Sequence, residues 1–440
     1  MRTLFRFNRP TSVVVSTFVA SCLVAGLASG LASCGGGGTD RTKAQLRLLN
    51  ASSGYAELDL LVADTRRQSA VAYGATAAYV EVAPGDASNT AISRAGSATS
   101  LLTLSPSLNK NSSYTLLAYG RAGVLKSLLI DDNSSAPASG RSTLRLLNAA
   151  PDAGTLDVYI TGADEPLASA VPVQSGVEAG VLGPLLSVSS ANWRLRVTAA
   201  GNKSDLRLDL PALALASQQV ATLVLTPGAG GVLVNALLSV QQSAIMRLDN
   251  TQARVRVVAG VADSAAISSS VGGVAVAANV GSPAAGAYTA VAAGSPNLTV
   301  LVNGQPFQTS NPTLLAGADY SLLVYGPAAS PRVSWLSDDN RPPANSSTAQ
   351  VRLVHGVTGL TGNLSMTVDF LPLADGVAPG AASAYGATAA STTARLAVTA
   401  AGLAAPLFSA IDQRLDANAT YSVFVVGAVA APTGILRKDR

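Results

Sequence analysis

Arginine and aspartate side chains recur at one spacing, and they are the groups in this 440-residue sequence best suited to acid–base chemistry. Arg47 and Asp59 lie 12 residues apart, as do Arg145 and Asp157, on segments predicted to pair as strands. A glycoside hydrolase needs two facing carboxyl groups, whereas each of these pairs supplies only one. We therefore predict a cross-strand ion pair in each case, worth about 0.2–1 kcal/mol of stability if exposed.

Two acidic runs offer the oxygen ligands that calcium prefers. Asp131 and Asp132 precede one asparagine, and Asp338 and Asp339 precede another. Calcium takes roughly six to eight oxygen ligands, and neither run supplies that many. Turn capping by these side chains is the favoured interpretation, calcium binding is the weaker alternative, and no cofactor is predicted.

The single histidine and the two tryptophans do not form a recognisable catalytic set. A Ser-His-Asp site requires a histidine beside both partners, and a zinc site usually requires several His or Cys ligands. His355 is therefore predicted to be a structural residue at a turn or strand end. Trp193 and Trp335 are predicted to pack in a core or on a strand face rather than to stack on sugars. The sequence predicts no enzyme.

Cys34 is the residue whose chemistry is indicated most clearly. Three arginines occur in the first nine residues, a nearly uncharged apolar run follows, and small residues lead to Ser33 and Cys34. This layout predicts export, with a signal peptide over residues 1–33 that is cleaved between Ser33 and Cys34. An uncleaved membrane anchor is the alternative, because the run could form a spanning helix of about 20 residues.

The four residues from Leu31 to Cys34 resemble the lipobox of bacterial lipoproteins. The resemblance implies that diacylglycerol is attached to the Cys34 thiol, so that a lipid anchor replaces the lost helix. Residues 34–43 would then be the lipidated cysteine and a flexible, glycine-rich tether. By the sorting rule of Gram-negative lipoproteins, glycine after the cysteine implies the outer membrane, with the exposed side left open.

The charge of the chain argues against nucleic acid as a partner. The formal net charge is +4, but three arginines lie in the predicted signal peptide, which contains no acidic residue. The remaining chain is nearly neutral and lacks the clustered lysines and arginines that bind phosphates.

Four related units fill the rest of the chain. The sequence LRLLNA occurs at 46–51 and again at 144–149, and related segments begin at 255 and 351. The equivalent arginines are Arg47, Arg145, Arg256 and Arg352. Because the boundary between the second and third units has the fewest turn residues, those two units are expected to pack more closely. The predicted units span 44–140, 141–245, 246–346 and 347–440.

The hydrophobic pattern places these units in the all-β class. Apolar and polar residues alternate in short runs separated by turns, which is typical of immunoglobulin-like β-sandwich units. A tyrosine stands near the start of a late strand in three of the units, at Tyr114, Tyr320 and Tyr421. This position resembles a tyrosine corner, in which the hydroxyl binds upstream backbone; half-buried strand tyrosines are the alternative.

The run LRLLNAAPDAGTLDVYI at 144–160 resembles the opening signature of the DUF4397 family of bacterial exported proteins. The matching residues in the second unit are Arg145, Asn148, Pro151, Asp152 and Asp157. The first unit keeps Arg47, Asn50 and Asp59, the third keeps Arg256 alone, and the fourth keeps Arg352, His355 and Asp369. The family has no assigned activity, so the resemblance implies a fold and export rather than a reaction.

These features favour a non-enzymatic, lipid-anchored cell-envelope protein that serves as a binding, adhesive or structural display module. Its expected partners are a membrane, through the lipid anchor, and an unknown protein or glycan ligand. The alternative is an exported enzyme, or a calcium- or glycan-binding module, that uses the carboxylates at the edges of the units.

Overall fold

The computed structural model describes residues 40–307 and 309–440, which fold into eight sheets arranged as four two-sheet sandwiches. The all-β fold class is confirmed. In these two ranges the only helices are the 3-10 turns Asp86–Ser88 and Pro151–Ala153, so none is long and apolar enough to span a membrane. The predicted signal peptide, its Ser33–Cys34 cleavage site and most of the tether lie outside the described residues.

The first sandwich contains strands β1 to β9. Their bounds are β1 Ala44–Ala51, β2 Glu57–Val62, β3 Thr65–Ala72, β4 Ala75–Thr76, β5 Val80–Val82, β6 Thr90–Arg94, β7 Ser100–Leu104, β8 Ser113–Tyr119 and β9 Lys126–Asp131. One sheet has the order β4-β1-β8-β9, with β5 also paired to β1, and the other has the order β3-β2-β6-β7. The first strand runs parallel to β8, and the other pairings are antiparallel.

The second sandwich contains strands β10 to β18. Their bounds are β10 Arg141–Asn148, β11 Leu156–Thr161, β12 Gln174–Val177, β13 Leu186–Ser189, β14 Ala191–Ala199, β15 Asn202–Leu215, β16 Val220–Pro227, β17 Val234–Val240 and β18 Ile245–Leu248. The sheets have the orders β13-β10-β16-β17-β18 and β12-β11-β14-β15. Because β18 pairs with β17, this sandwich continues past residue 245, where the sequence placed its end.

The third and fourth sandwiches repeat this plan. The third has β19 Gln252–Val261, β20 Ala266–Val271, β21 Val274–Gly281, β22 Ala284–Ala285, β23 Thr289–Ala292, β24 Leu298–Val302, β25 Gln305–Phe307, β26 Asp319–Gly326 and β27 Arg332–Asp338. The fourth has β28 Thr348–Thr358, β29 Leu364–Val368, β30 Leu371–Val377, β31 Gly386–Ala389, β32 Ser391–Ala400, β33 Phe408–Leu415, β34 Thr420–Ala428 and β35 Thr433–Lys438. Their sheet orders are β22-β19-β26-β27 with β23 on β19, β21-β20-β24-β25, β31-β28-β34-β35 and β30-β29-β32-β33.

The first strand of each sandwich is buried on both faces. In β1, Leu46 and Leu48 point into the core of the first sandwich, while Leu49 and Ala51 join a second apolar cluster on the outer face. That second cluster also contains Leu147 of β10, so it lies between the first and second sandwiches. Alternation along a strand sends successive side chains to opposite faces, and here both faces find apolar partners.

The sandwiches pack most closely in two pairs, the first with the second and the third with the fourth. An apolar cluster joins the third and fourth, with Val258 and Leu323 on one side and Val354 and Phe424 on the other. The second and third sandwiches meet through backbone contacts such as Gly230 N–H to the Gly317 carbonyl at 2.8 Å. The expectation that the second and third units pack more closely is therefore wrong, because the apolar outer faces lie elsewhere.

The tyrosine corners are confirmed in the three sandwiches that carry them. The Tyr114 hydroxyl accepts a hydrogen bond from the Asn109 backbone N–H at 3.2 Å. Tyr320 accepts from Leu315 at 3.0 Å, and Tyr421 accepts from Asp416 at 2.8 Å. Each hydroxyl thus ties a core strand to the chain five residues upstream.

Candidate functional site

The four signature arginines lie on the outer faces of the first strands, where sandwich meets sandwich. Arg256 and Arg352 are each 1% exposed, Arg47 is 2% exposed and Arg145 is 9% exposed. A buried guanidinium is costly unless hydrogen bonds and opposite charges compensate for the lost water. The partners of these arginines therefore decide what the signature does.

Arg256 and Arg352 make reciprocal ion pairs across the interface between the third and fourth sandwiches. Arg352 Nη2 of the fourth donates to Asp338 Oδ1 of the third, and Arg352 Nη1 donates to the Ser337 carbonyl at 3.0 Å. Arg256 Nη1 of the third donates to Asp439 Oδ1 of the fourth. Each sandwich thus contributes one arginine and one aspartate, and both aspartate side chains are fully buried.

Hydroxyl groups complete the hydrogen bonding of these carboxylates. Ser321 Oγ and the Tyr288 hydroxyl each donate to Asp338 Oδ2 at 2.6 Å. Ser422 Oγ donates to Asp439 Oδ2, also at 2.6 Å. The Arg256 guanidinium also lies 4.6 Å from the centre of the Tyr288 ring, within cation–π distance.

The electrostatics of this cluster keep Asp338 ionised. Burial alone would raise the pKa of the Asp338 carboxyl, but the charges of Arg352 and Arg256 outweigh burial and hold that pKa below its usual value. Burial and the neighbouring Asp338 carboxylate raise the pKa of the Tyr288 hydroxyl well above its ordinary value. The tyrosine is therefore a fixed donor and not an acid–base group near neutral pH.

The first and second sandwiches meet through a weaker version of this arrangement. Arg145 Nη2 donates to the Asp131 carbonyl at 2.8 Å, and Arg47 Nη2 donates to the Val240 carbonyl at 3.3 Å. Both carbonyls occupy the position of the Ser337 carbonyl that Arg352 binds. Gln241 stands where the fourth sandwich has Asp439. Asp132 corresponds to Asp338, but its carboxylate accepts the Tyr79 and Thr115 hydroxyls, while Arg145 binds the Asp131 carbonyl.

The predicted ion pairs between Arg47 and Asp59, and between Arg145 and Asp157, are wrong. The strands that carry each pair belong to opposite sheets of the sandwich, so these side chains do not face each other. Asp59 instead accepts the backbone N–H groups of Ala70 at 2.7 Å and Gly96 at 2.9 Å. The side-chain cation that pairs with Asp59 is Arg66, at 2.8 Å.

The signature aspartate braces a β-bulge and a neighbouring turn. Asp157 accepts the backbone N–H groups of Gly176 and Gly201, each at 2.8 Å. Gly176 has φ of 63° and lies where the pairing of β11 with β12 shifts register. A carboxylate with two oxygens satisfies both backbone donors, which explains why Asp suits this position.

Asp369 is not the equivalent of Asp59 and Asp157. The strand register aligns Ser365 with them, and Asp369 instead lies in the turn after β29 with φ of 47°. There it accepts the Arg395 backbone N–H at 2.8 Å. The sequence misplaced this residue because the fourth unit has no aspartate at the position that faces the bulge.

In the two acidic runs considered for calcium, the carboxylates accept hydrogen bonds from protein groups. Asp132 accepts the Tyr79 hydroxyl at 2.7 Å, and Asp131 accepts the Asn133 backbone N–H at 2.8 Å. Asp339 pairs with the Arg341 guanidinium, separately from the buried Asp338. Within residues 40–307 and 309–440, no three His, Cys, Asp or Glu side chains come together to hold a metal ion.

His355 is a buried structural residue, but it lies inside β28, three residues before that strand ends, and not at the strand end or turn that the sequence predicted. Its Nδ1 accepts the Val357 backbone N–H, and its Nε2 lies 3.2 Å from the Gly362 carbonyl. These contacts require a neutral ring with the proton on Nε2. Burial lowers the pKa of the His355 imidazole below its ordinary value.

A cleft of about 780 Å³ opens beside the Arg352–Asp338 pair, at the junction of the second, third and fourth sandwiches. One wall is strand β27, including Trp335, and the opposite wall is residues 380–385 of the fourth sandwich. Trp335 also packs edge-on to Tyr320, with ring centres 6.3 Å apart, whereas the Trp193 indole N–H donates to the Ser189 carbonyl. Sequence reasoning missed the cleft, because its walls come from units far apart in the chain.

The family is established by a direct comparison with family models. The model described as "Domain of unknown function (DUF4397)" matches residues 44–159 and 253–360, which together make up more than half of the chain. The chain belongs to the DUF4397 family. Each DUF4397 match begins at the first strand of one pair of sandwiches, and each ends within the second member of that pair.

The other comparisons add little to the DUF4397 assignment. A search of curated proteins found none that matches this chain. Among solved structures, the Bacillus anthracis TIE protein is 10% identical, with 84% of this chain and 65% of that chain covered and a TM-score of 0.14. A candidate cell adhesion protein of Parabacteroides distasonis ATCC 8503 is 9% identical, with 69% and 99% covered and a TM-score of 0.15. This chain therefore spans about 65% of the length of the Bacillus protein, and neither structure bears on its function.

Proposed function

We propose that this protein is a non-enzymatic, lipid-anchored component of the cell envelope whose four sandwiches form a binding, adhesive or structural display module. One observation carries the proposal: the signature arginines join sandwich to sandwich instead of facing a substrate. Arg352 and Arg256 hold the third and fourth sandwiches together, and Arg47 and Arg145 link the first and second.

The signature aspartates support the same conclusion. Asp59 and Asp157 direct their oxygens at backbone N–H groups of their own sandwich. A carboxylate bound in this way is not free to activate water or to protonate a leaving group. The alternative of an enzyme, or of a calcium or glycan module, that uses edge carboxylates is therefore the second choice.

The roles of the aspartates can be separated by a matched pair of variants. Asp157→Asn replaces one acceptor oxygen with an amide donor that faces a part-buried backbone N–H, so we expect a loss of about 1–2 kcal/mol in unfolding free energy. Asp369→Asn keeps the turn and should change that free energy by less than about 0.5 kcal/mol. Chemical denaturation would measure both; an unchanged stability for Asp157→Asn together with loss of a ligand would favour the alternative.

The binding role itself is tested by screening residues 40–440 against glycan and protein arrays. We expect at least one specific ligand, and no turnover of glycoside, ester or peptide substrates. Substrate turnover by the purified protein that scales with its concentration would overturn the non-enzymatic assignment.

The lipid anchor and the proposed outer-membrane location are inferred from the sequence, since Cys34 lies outside the described residues. Cys34→Ala should abolish fatty-acid labelling in the bacterial host and release the protein from membranes. The control is Cys22→Ala, which alters the other cysteine of the chain and should leave labelling intact. Membrane retention of cleaved Cys34→Ala protein would contradict the anchor.

A further inference from the structure

The second sandwich carries an extra strand that the third sandwich lacks. In the second, β18 pairs antiparallel with β17, with Met246 opposite Leu238 and Leu248 opposite Ala236. In the third, β27 is the corresponding strand and ends its sheet. Strand β17 pairs with β16 as β27 pairs with β26, and this shared register makes Leu238 the equivalent of Trp335.

The cleft lies along this open edge of β27. Ser334, Trp335 and Leu336 line it on one side. In the second sandwich, β18 covers the equivalent stretch of β17. The cleft is also continuous with the interface between the third and fourth sandwiches, because Asp338 and Arg352 lie in its wall. The space beside β27 is therefore bounded on two sides.

Backbone groups of β27 point into the cleft. Arg352 Nη1 reaches the Ser337 carbonyl from this side, so the carbonyl faces the edge and not β26. Alternation along an antiparallel strand then directs the N–H and C=O groups of Trp335 and Val333 to the same edge. Trp335 itself packs against the core of the third sandwich, so a strand added at this edge would lie beside its backbone.

We propose that the cleft binds an extended segment of a partner protein, which adds to β27 as a fifth, antiparallel strand. Main-chain hydrogen bonds would supply affinity, and side chains at alternate positions would supply specificity. The partner segment should carry two apolar residues separated by one polar residue, as β18 does with Met246, Arg247 and Leu248. This inference rests on the proposed binding role and names the class of partner.

The test uses a peptide with the sequence of residues 243–250, SAIMRLDN, acetylated and amidated. The protein is residues 40–440 with Trp193→Phe, which contains all eight sheets and leaves Trp335 as its single tryptophan. We expect a saturable change in Trp335 fluorescence. The same peptide N-methylated at the positions of Met246 and Leu248 should bind at least about tenfold more weakly, because it lacks the donors that face β27.

The register is tested by disulfide trapping, since residues 40–440 contain no cysteine. A peptide with cysteine in place of Arg247 should cross-link to Ser334→Cys, which stands opposite it, and not to the control Ser337→Cys. Equal affinity of both peptides, no fluorescence change up to about 1 mM peptide, or equal cross-linking of both variants would overturn the inference. If these tests fail while the array screen finds a ligand, the proposed binding role stands and only strand addition is wrong.

Discussion

At the scale of single residues, the same structural task is performed by different side chains in different sandwiches. Asn148 donates to the carbonyls of Gly154 and Val177 and accepts the Ala150 backbone N–H, which anchors the chain where it leaves β10. His355 stands at the equivalent strand position. It likewise accepts the backbone N–H two residues later, from Val357, and donates to a backbone carbonyl, that of Gly362. A histidine can replace the asparagine only while its ring stays neutral.

This requirement predicts a pH-dependent stability. The pKa of His355 is lowered in the folded protein, so the unfolded chain takes up a proton near pH 6.5 that the folded chain does not. Unfolding free energy should therefore fall as the pH drops below about 6.5, by at most about 1.4 kcal/mol per pH unit. Denaturant titrations between about pH 7.5 and 5 would measure this slope.

His355→Asn is the matched control, because it restores the residue found in the first and second sandwiches. The chain has a single histidine, so this variant should remove the slope in that pH range. If the pH dependence of the unfolding free energy persists in His355→Asn, another titrating group causes it.

At the scale of elements, two devices recur among the sandwiches. The first is a bulge where a residue with positive φ, such as Gly176 or Asn279, donates its N–H to a side chain on the neighbouring strand. The second is the tyrosine corner, which joins a late core strand to the preceding crossover. The second sandwich has Ala221 at the corner position and an extra edge strand, β18.

Removal of one corner hydroxyl should weaken the third sandwich. Tyr320→Phe leaves the Leu315 backbone N–H without its acceptor, and we expect a loss of about 1–2 kcal/mol in unfolding free energy. Tyr325→Phe, on the same strand, removes a hydroxyl that takes no part in the corner and should cost less. Trp335 packs against Tyr320 and reports unfolding of this sandwich by fluorescence; equal losses for the two variants would contradict a special role for the corner.

At the scale of the whole molecule, four sandwiches form two pairs with reciprocal contacts. The third and fourth are joined by two buried arginine–aspartate pairs, while the first and second rely on arginine-to-carbonyl hydrogen bonds. The interface between the first and second sandwiches has no such pair of carboxylates, because Gln241 occupies the position of Asp439. The interface between the third and fourth sandwiches should therefore be more sensitive to the loss of an arginine than the interface between the first and second.

Arg352→Met tests whether the buried pair holds the third and fourth sandwiches together. It leaves the buried Asp338 carboxylate without its nearest cation, so we expect a loss of about 3–5 kcal/mol in unfolding free energy. Arg341→Met breaks a pair that is about two-fifths exposed and should cost at most about 1 kcal/mol. Trp335 fluorescence in the Trp193→Phe background would follow both; similar losses for both variants would show that the buried pair does not hold the sandwiches together.

The sequence by itself determined the all-β class, the four repeats and the tyrosine corners, because each depends on alternation or spacing within about a hundred residues. It also indicated that His355 is structural. The aspartates were harder to assign: Asp59 and Asp157 were expected to meet arginines, and Asp369 was aligned wrongly, because sequence spacing does not tell which sheet a strand joins. Only the tertiary structure decided that the arginines face a neighbouring sandwich, which sandwiches pair, and where the cleft opens. These features depend on which outer faces pack together, and the residues that meet there are far apart in the chain.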